Sequence, residues 1–352
     1  LIAFVAVAIA FSAPASAQVV RLPAVLPEDQ PNRLPNDPTR ADFDTSLLGK
    51  YPSTSAVPGR LVSHPDSSAE ILAPPGDTIS PGPAEPPLSD VRSGFFQRAI
   101  FNGTYLPRTA GRGGFGQNDL EAKLVVALPC PTTDSPLVIT PGFAVHYLDG
   151  PTGVDLPPRL YDGSCQFRWL SQVTPQLGLD FAVTPGWYSD FQQNWGGAFR
   201  MPGHAAAAWT LNPTTKLVLG AAYLARFDVN VIPVGGIIWT PNDDTKFELL
   251  FPEPKLAHRV LHECEHGSEI NTWLYLSGEF AGDVWAIETP IGNEQVLLRD
   301  CRVILGIERK KIQGFGAKLE VGYVFGRRIM YSGPTPEFDP SDTILLRAGV
   351  QY

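Results

Sequence analysis

The sequence predicts an all-β chain: an antiparallel transmembrane β-barrel of about twelve strands, with fourteen as the alternative count, preceded by a disordered Pro-rich arm. Three observations carry this expectation. From Ser93 to Tyr352, apolar and polar side chains alternate in one segment after another, with no helical period between them. Aromatic residues gather near segment ends, among them Trp169, Trp187, Trp209, Tyr223, Trp239, Trp273 and Tyr323. The N-terminal residues read as an export signal. Leu1 to Phe11 is almost continuously apolar, Ser12-Ala-Pro14 breaks the run, and Ala15-Ser-Ala17 offers an A-x-A cleavage site before Gln18. The run is well short of the ~20 residues that a helical span needs. The expectation is therefore a signal peptide over residues 1–17, lacking its basic start, and any membrane span falls to strands.

Composition narrows the class. The net charge of −9 and the lack of any Lys/Arg run argue against nucleic acid as a partner. Residues 18–92 show no period and are studded with proline, from Pro23 and Pro27 to Pro86 and Pro87. Such a stretch buries too little apolar surface to offset its chain entropy, so it reads as a linker. An arm that binds wall or partner proteins is the alternative.

The alternating segments follow in order. Ala99, Phe101, Gly103 and Tyr105 share one face of the first, Phe95 to Leu106. In the second, Leu120, Ala122, Leu124, Val126 and Leu128 oppose Glu121 and Lys123. Leu137 to Tyr147 sets Ile139, Phe143 and Val145 against Thr140, Gly142 and His146. Ser164 to Val173 sets Cys165, Phe167 and Trp169 against Gln166 and Arg168. After Thr174-Pro-Gln176, Leu179, Phe181 and Val183 oppose Asp180 and Ala182. Ala205, Ala207, Trp209 and Leu211 oppose His204 and Thr210; beyond Asn212-Pro213, Leu217, Leu219 and Tyr223 face away from Lys216 and Arg226. Val231 to Trp239 is shorter, and Phe247, Leu249 and Phe251 oppose Lys246 and Glu248. Asn271 to Ile287 is long, with Leu274, Leu276 and Phe280 against Ser277 and Glu279. Val303, Leu305 and Ile307 then oppose Arg302 and Glu308, and Leu319, Val321 and Tyr323 oppose Lys318 and Glu320. A soluble sandwich also alternates, with its apolar face inward. The length of the alternating region and the export signal favour lipid.

This segmentation yields an odd number of strands, whereas bacterial single-chain barrels are even-numbered. Either the first segment lies outside the barrel, or Phe247 to Val260, which holds Pro252 and Pro254, is divided wrongly.

The last segment, Asp342 to Tyr352, alternates most strictly. Ile344, Leu346, Ala348, Val350 and Tyr352 fall on one face, and Thr343, Arg347, Gly349 and Gln351 on the other, with Leu345 the exception. A strand ending on an aromatic is the expected signal to the barrel-assembly machinery, which together with outer-membrane lipid completes the expected set of partners.

Several segments resemble an uncharacterised family of bacterial outer-membrane β-barrel proteins. They are Pro157-Pro-Arg-Leu-Tyr-Asp-Gly163, Trp187-Tyr-Ser-Asp-Phe191, Gly235-Gly-Ile-Ile-Trp-Thr-Pro241, Phe251-Pro-Glu-Pro254, Arg299-Asp-Cys-Arg302 and Glu320-Val-Gly-Tyr-Val-Phe-Gly-Arg327. The resemblance spans roughly Ser93 to Tyr352. It implies the barrel fold and an outer-membrane location, and no activity or functional residue.

Chemistry-bearing motifs are few. His262-Glu-Cys-Glu-His266 fits H-E-x-x-H, in which two histidines one helical turn apart hold zinc and the Glu activates water. That arrangement needs a helix, and the flanks here read as strand and loop. His262 and His266 are thus weak metal candidates, no cofactor is expected, and the chain does not read as an enzyme. No nucleophile elbow, P-loop or dinucleotide fingerprint is present, and Gly111-Arg-Gly-Gly-Phe-Gly116 reads as a loop. Of the four cysteines, Cys165 and Cys301 fall on outward faces of strands, and Cys130 and Cys264 in connections, the better-placed pair for any disulfide.

The remaining candidate site is the barrel interior. Glu121, Lys123, Arg168, Asp180, Lys216, Arg226, Lys246, Glu248, Arg302, Lys318, Glu320 and Arg347 all fall on the polar face. Mixed charges of this kind line a narrow aqueous pore for small solutes. The competing reading is a closed structural or anchoring barrel filled by salt bridges, its Pro-rich arm the working part. A barrel enzyme acting on lipid is the third. Deleting Tyr352 is expected to cripple membrane assembly; a normal heat-modifiable band in the outer-membrane fraction would contradict that role.

Overall fold

The computed structural model describes residues 95–352, except 112, 133–134, 152–155, 193–195, 266–267 and 312–313. The expected signal peptide and Pro-rich arm lie outside the described residues. Sixteen strands make one sheet: β1 (Phe96–Leu106), β2 (Gly116–Thr132), β3 (Ser135–Asp149), β4 (Arg159–Thr174), β5 (Leu177–Val183), β6 (Gly186–Ser189), β7 (Phe199–Arg200), β8 (Gly203–Asn212), β9 (Thr215–Tyr223), β10 (Val231–Asn242), β11 (Thr245–Phe251), β12 (Lys255–Glu265), β13 (Ser268–Thr289), β14 (Gly292–Lys311), β15 (Gly316–Tyr331) and β16 (Thr343–Gln351). All but β6 and β7 join a closed antiparallel ring, sixteen less two, hence fourteen strands. Closure runs through β1 and β16, with Tyr105 opposite Leu346 and Phe101 opposite Val350. Tyr352 and Ala99 exchange backbone hydrogen bonds of 2.9 and 3.0 Å beside that seam.

The expected count of twelve is thus corrected to fourteen. The first segment belongs to the ring as β1, and the stretch from Phe247 to Val260 holds two strands, β11 and β12, parted by Pro252-Glu-Pro254. Prolines lack the N–H that a ladder needs, so they mark a connection rather than a strand interior.

An even count brings both ends of the ring to one rim. On that rim the connections are tight: Pro175-Gln176, Pro213-Thr214 and Asp243-Asp244. Asn212 and Asn242 each accept a backbone N–H two residues on, from Thr214 and Asp244 at 3.0 Å, so the side chain itself shapes the turn. The opposite rim carries long connections, including 107–115, 224–230 and 332–342. In membrane barrels the tight turns face the periplasm and the long loops the exterior. The rim of tight turns is therefore the periplasmic rim, and its opposite the outer rim.

Alternation sorts the side chains as a lipid-facing barrel requires. Leu120, Leu219, Leu305 and Tyr323 point outward and are about half exposed, whereas Arg347 is only 2% exposed. A soluble barrel would bury the first set and expose the second. Paired aromatics band the outside near strand ends, Trp169 with Phe181 and Trp239 with Phe247.

The wall is uneven. β8 to β12 have 7 to 12 residues, close to what a tilted span needs, whereas β13 has 22 and β14 has 20. β12 pairs with β13 only as far as Ser277, so the outer half of β13 is left as an edge. A second closure covers it. The β5–β8 hairpin is broken on both strands at one level by Pro185 and Pro202, and beyond them β6 and β7 continue the hairpin. β6 pairs antiparallel with β4 and touches β13 in parallel, Ser189 opposite Ala286. Nine strands, β13 to β16, β1 to β4 and β6, therefore close a second ring towards the outer rim. An apolar cluster fills it, with Phe115, Leu160, Tyr188, Trp285, Ile287, Val296 and Ile329 buried together.

Other expectations change with the fold. Cys130 lies on β2 as a free, exposed thiol, so the Cys130–Cys264 pairing is not made. The H-E-x-x-H stretch lies on β12 from His262 to Glu265, where His262 opposes Asn271, and not on the helix that such a zinc site needs; His266 lies outside the described residues. Arg226 sits past the end of β9, in the connection to β10, rather than in the strand.

A test of orientation uses the lipid-facing belt. Leu305→Arg is expected to lower stability in refolding from urea into vesicles by about 2–4 kcal/mol, and Leu211→Arg, near the periplasmic rim, by about 0–1 kcal/mol. Equal effects at both depths would rule out a membrane-spanning belt.

Candidate functional site

The interior is built from inward-facing positions of nearly every strand, and its chemistry is organised in depth. Because charges in a barrel lumen are taken largely out of water, each needs a partner or a hydrogen-bonded cage.

At mid-depth the centre is Arg347 on β16. Its Nη1 donates to Glu279 and Glu320, each at 3.0 Å; Nη2 donates to Glu279 at 3.1 Å, and Nε to Thr104 at 3.2 Å. One guanidinium thus ties β16 to its neighbours β1 and β15 and, further round the ring, to β13. Tyr275 donates its hydroxyl to Glu320 from β13, its ring lying over β14. Gly306 makes this reach available: a Cβ there would come within 2.3 Å of the Tyr275 ring. Arg302 donates to Asp300 at 2.6 and 3.1 Å and lies 3.8 Å from Glu279. Across the ring Arg168 grips Asp180 through two bonds of 2.9 and 2.8 Å, with His204 3.4 Å from the same carboxylate.

Nearer the outer rim, His146 stands between two carboxylates, Asp119 at 2.7 Å and Asp162 at 3.0 Å. Trp285 donates its indole N–H to Asp162 and sets its ring edge-on to His146, 5.1 Å between centroids. At this level β6 alone stands between β4 and β13, so this contact links the two strands that the second closure brings together. A small cavity beside the cluster is lined by Asn102, Thr104, Asp119, Glu121, Ala144, His146 and Arg347, with room for about one water molecule.

Two arginines finish the closure, Arg200 on β7 and Arg226 in the connection from β9 to β10. Arg200 donates to the carbonyls of Ala225, Leu224 and Val284 at 3.0, 2.9 and 2.7 Å. Arg226 donates to Asp228 at 2.9 and 2.8 Å and to the Gly282 carbonyl at 3.3 Å. Together they satisfy backbone acceptors on the edge of β13 that β12 does not reach. Burial works to raise the Asp228 carboxyl, but hydrogen bonds and charge from Arg226 outweigh it and hold the group below the usual carboxylate range.

The periplasmic half holds Glu121 with Lys123 at 2.8 Å and Lys246 with Glu248 at 2.7 Å. Lys318 lies 3.7 Å from Glu320. Lys216 lies half-buried on the inner face of β9. Ile344 is half exposed on the outer face of β16, with Leu346, Ala348 and Val350 on the same face and Tyr352 beyond them. The alternation therefore placed these residues on the faces where they stand, Arg226 excepted in element but not in burial. It did not foresee the apolar inner wall of β8 to β11, where Ala206, Val218, Ala222, Val234, Ile238 and Leu250 are buried together. Nor did it foresee Arg200, whose partners are backbone carbonyls far away in sequence and leave no local signal. The His146 cluster was legible only in part: alternation put His146 on a polar face, but nothing singled out Trp285 or Asp162 as its neighbours.

A closed ring with an apolar exterior and a charge-paired interior defines a transmembrane β-barrel. Comparison with known proteins adds neighbours of remote likeness. No family model matches the chain, and no curated protein does; the resemblance to an uncharacterised family rests on its short sequence segments alone. Among solved structures, the Pseudomonas putida toluene transporter TodX is 12% identical over 75% of this chain and 90% of its own, with a TM-score of 0.36. A bacterial polysaccharide outer membrane secretin is 9% identical over 72% and 97%, at 0.36. The β domain of the Bordetella autotransporter BrkA is 11% identical over 74% and 99%, at 0.32.

Removing one member of the central network strands the others. Arg347→Leu is expected to destabilise the refolded barrel by about 3–5 kcal/mol, since Glu279 and Glu320 lose their shared counter-charge. Adding Glu279→Gln should restore part of that loss. Additive destabilisation in urea titrations would show that the three groups do not act as one unit.

Proposed function

We propose that this protein is a gated outer-membrane channel for small solutes, held closed in this structure. The reading rests on the division of the interior into two tiers. The periplasmic and middle lumen is lined by charged groups from strands all round the ring, which is a lining suited to hydrated polar solutes. The outer tier is shut by the β6–β7 tip and the apolar cluster around Trp285. The tip is held to β13 by one parallel bridge, the Asp190 N–H to the Ala286 carbonyl at 3.2 Å, the Glu288 N–H to Asp190 at 3.1 Å and the Arg200 side chain. A few bonds of this kind contribute far less than a continuous ladder, so the tip is the part of the wall that moves at lowest cost. Its proline break supplies a defined bend.

A closed structural barrel is the second reading, and the buried apolar outer tier favours it. Planar-bilayer recording separates the two. Under the channel reading the wild type gives discrete ohmic steps of low open probability, Arg200→Ala raises that probability, and Lys318→Glu moves the reversal potential towards cations. A barrel that is silent in all three forms supports the structural reading. Lipid hydrolysis abolished by a single Ser or His substitution would instead make it an enzyme.

A further inference from the structure

The outer face of β3, β4 and the β6–β7 tip carries an aromatic patch with a gap in it. Phe143 and Tyr147 point outward from β3, and Tyr161 from β4. The Tyr161 ring stands 6.5 Å from that of Phe143 and 5.1 Å from that of Phe191, which follows β6. On the tip, Trp187 and Phe199 stand 5.5 Å apart. Phe191 has a φ of 59°, a conformation that bulky residues rarely adopt, and the Ser189 hydroxyl accepts its N–H at 3.0 Å. An unfavourable backbone thus keeps that exposed ring against Tyr161. Between the rings lies Gly163, opposite Phe143 on one side and Trp187 on the other. A Cβ added there would meet nothing within 4 Å, so the patch holds a recess floored by backbone.

Arg159 stands at the outer end of the same face. It opposes Tyr147, is exposed, and sets its guanidinium carbon 5.6 Å from the centroid of the Tyr147 ring. Other arginines towards that rim are engaged by acceptors of the protein. Arg108 meets Asp149 at 3.0 Å, Arg299 meets Asp228 at 3.1 Å and Arg328 meets Asp339 at 2.8 Å. Arg327 donates to the carbonyls of Phe115 and Ser341. Among the described residues no carboxylate pairs with Arg159. A ring face orients a guanidinium without neutralising it, so its fork of donors stays available to an anion. The contrast with β15 is direct: there the outward pair Tyr323 and Phe325 has Asp342 beside it, 2.7 Å from the Tyr323 hydroxyl.

Depth fits the chemistry. β8 begins at Gly203, opposite Val183, so the short wall ends just below Trp187 and Gly163. Arg159 lies four residues beyond Gly163 on β4, about 13 Å along a tilted strand. With the short wall spanning the hydrocarbon, the rings stand at its outer boundary and Arg159 among the headgroups.

We propose that this face is a docking site for a lipid of the outer leaflet whose headgroup carries an anionic phosphate. Arg159 donates to the phosphate oxygens, and an acyl chain lies over Gly163 between Phe143 and Trp187. A lipid seated there joins the fixed wall of β3 and β4 to the tip. The site goes beyond the channel reading, and its test does not depend on conductance.

The test is fluorescence quenching of the full-length protein refolded into phosphatidylcholine vesicles. These contain a minor fraction of either phosphatidylglycerol or phosphatidylcholine with brominated acyl chains. The difference between the wild type and Trp187→Phe isolates the emission of Trp187. Brominated phosphatidylglycerol is expected to quench it about twofold more than brominated phosphatidylcholine, the preference an exposed charge pair gives. Arg159→Gln should abolish the preference, Arg159→Lys should keep part of it, and Arg328→Gln should leave it unchanged. Gly163→Leu, which fills the recess, should lower quenching by both lipids. Heat-modifiable migration verifies that each variant is folded. Equal quenching by the two lipids in the wild type, or an undiminished preference in folded Arg159→Gln, overturns the site. A dimer in detergent that Arg159→Gln dissociates also overturns it, making the face an interface between two copies of the chain.

Discussion

The structure depends on the requirement that charge placed inside a membrane barrel be neutralised within the barrel. The hydrophobic effect sorts a membrane barrel inside out, so polar residues point to a lumen where water is scarce. Arg347 meets that requirement for the middle of the lumen. Its two carboxylates come from β13 and β15, so the same contacts that neutralise it also hold distant strands at a fixed separation. Tyr275 and Gly306 exist in their positions because Glu320 must accept a third donor. A hydrophobic replacement of equal volume could fill the space, but it would not specify which strands meet.

The second constraint is the mismatch between long and short strands. β13 and β14 outrun the wall formed by β8 to β12, and an unpaired strand edge is a liability wherever it stands. The chain answers with backbone from β6 and with Arg200 and Arg226, whose guanidinium groups act as portable donors for a row of carbonyls. This is why Arg200 on β7 and Arg226 in the β9–β10 connection are buried although neither lies on a strand of the fourteen-strand ring. It also explains why the outer tier is apolar. A ring of nine strands is narrow enough for Trp285, Tyr188 and Leu160 to meet at its centre and exclude water.

Much of this was legible in the sequence, because strand alternation is a local signal. The faces of Glu121, Lys123, Arg168, Asp180 and Lys318 follow from a period of two, and the closing strand pairs with β1 in the register its alternation implies. What was not legible depends on where strands end. Pro252 and Pro254 were visible, yet the prior that a proline breaks a strand does not say whether it ends one element or divides two, and with the first segment set outside the barrel the count fell two short. The burial of Arg226 and Arg200 is a tertiary effect, set by an edge on β13 that no local pattern announces. The apolar inner face of β8 to β11 was masked by its own composition. Ala206, Ala208 and Ala222 are small enough to read as neutral beside the large residues opposite.

The same limits show why four acidic–basic pairs of the inner face escaped notice as a set. Read along the chain, Glu121-Ala-Lys123 and Lys318-Leu-Glu320 are opposite motifs, and Lys246-Phe-Glu248 and Glu308-Arg-Lys310 add one of each. Only the direction of each strand makes them one motif. Even parity of the ring supplies that direction, since it fixes which rim every strand starts from. Charge order along the pore axis is therefore written in the sequence in two spellings, alternating with strand direction. The common order of acid and base along the pore axis is then a consequence of barrel topology combined with placement of charge, and every pair is locally neutral.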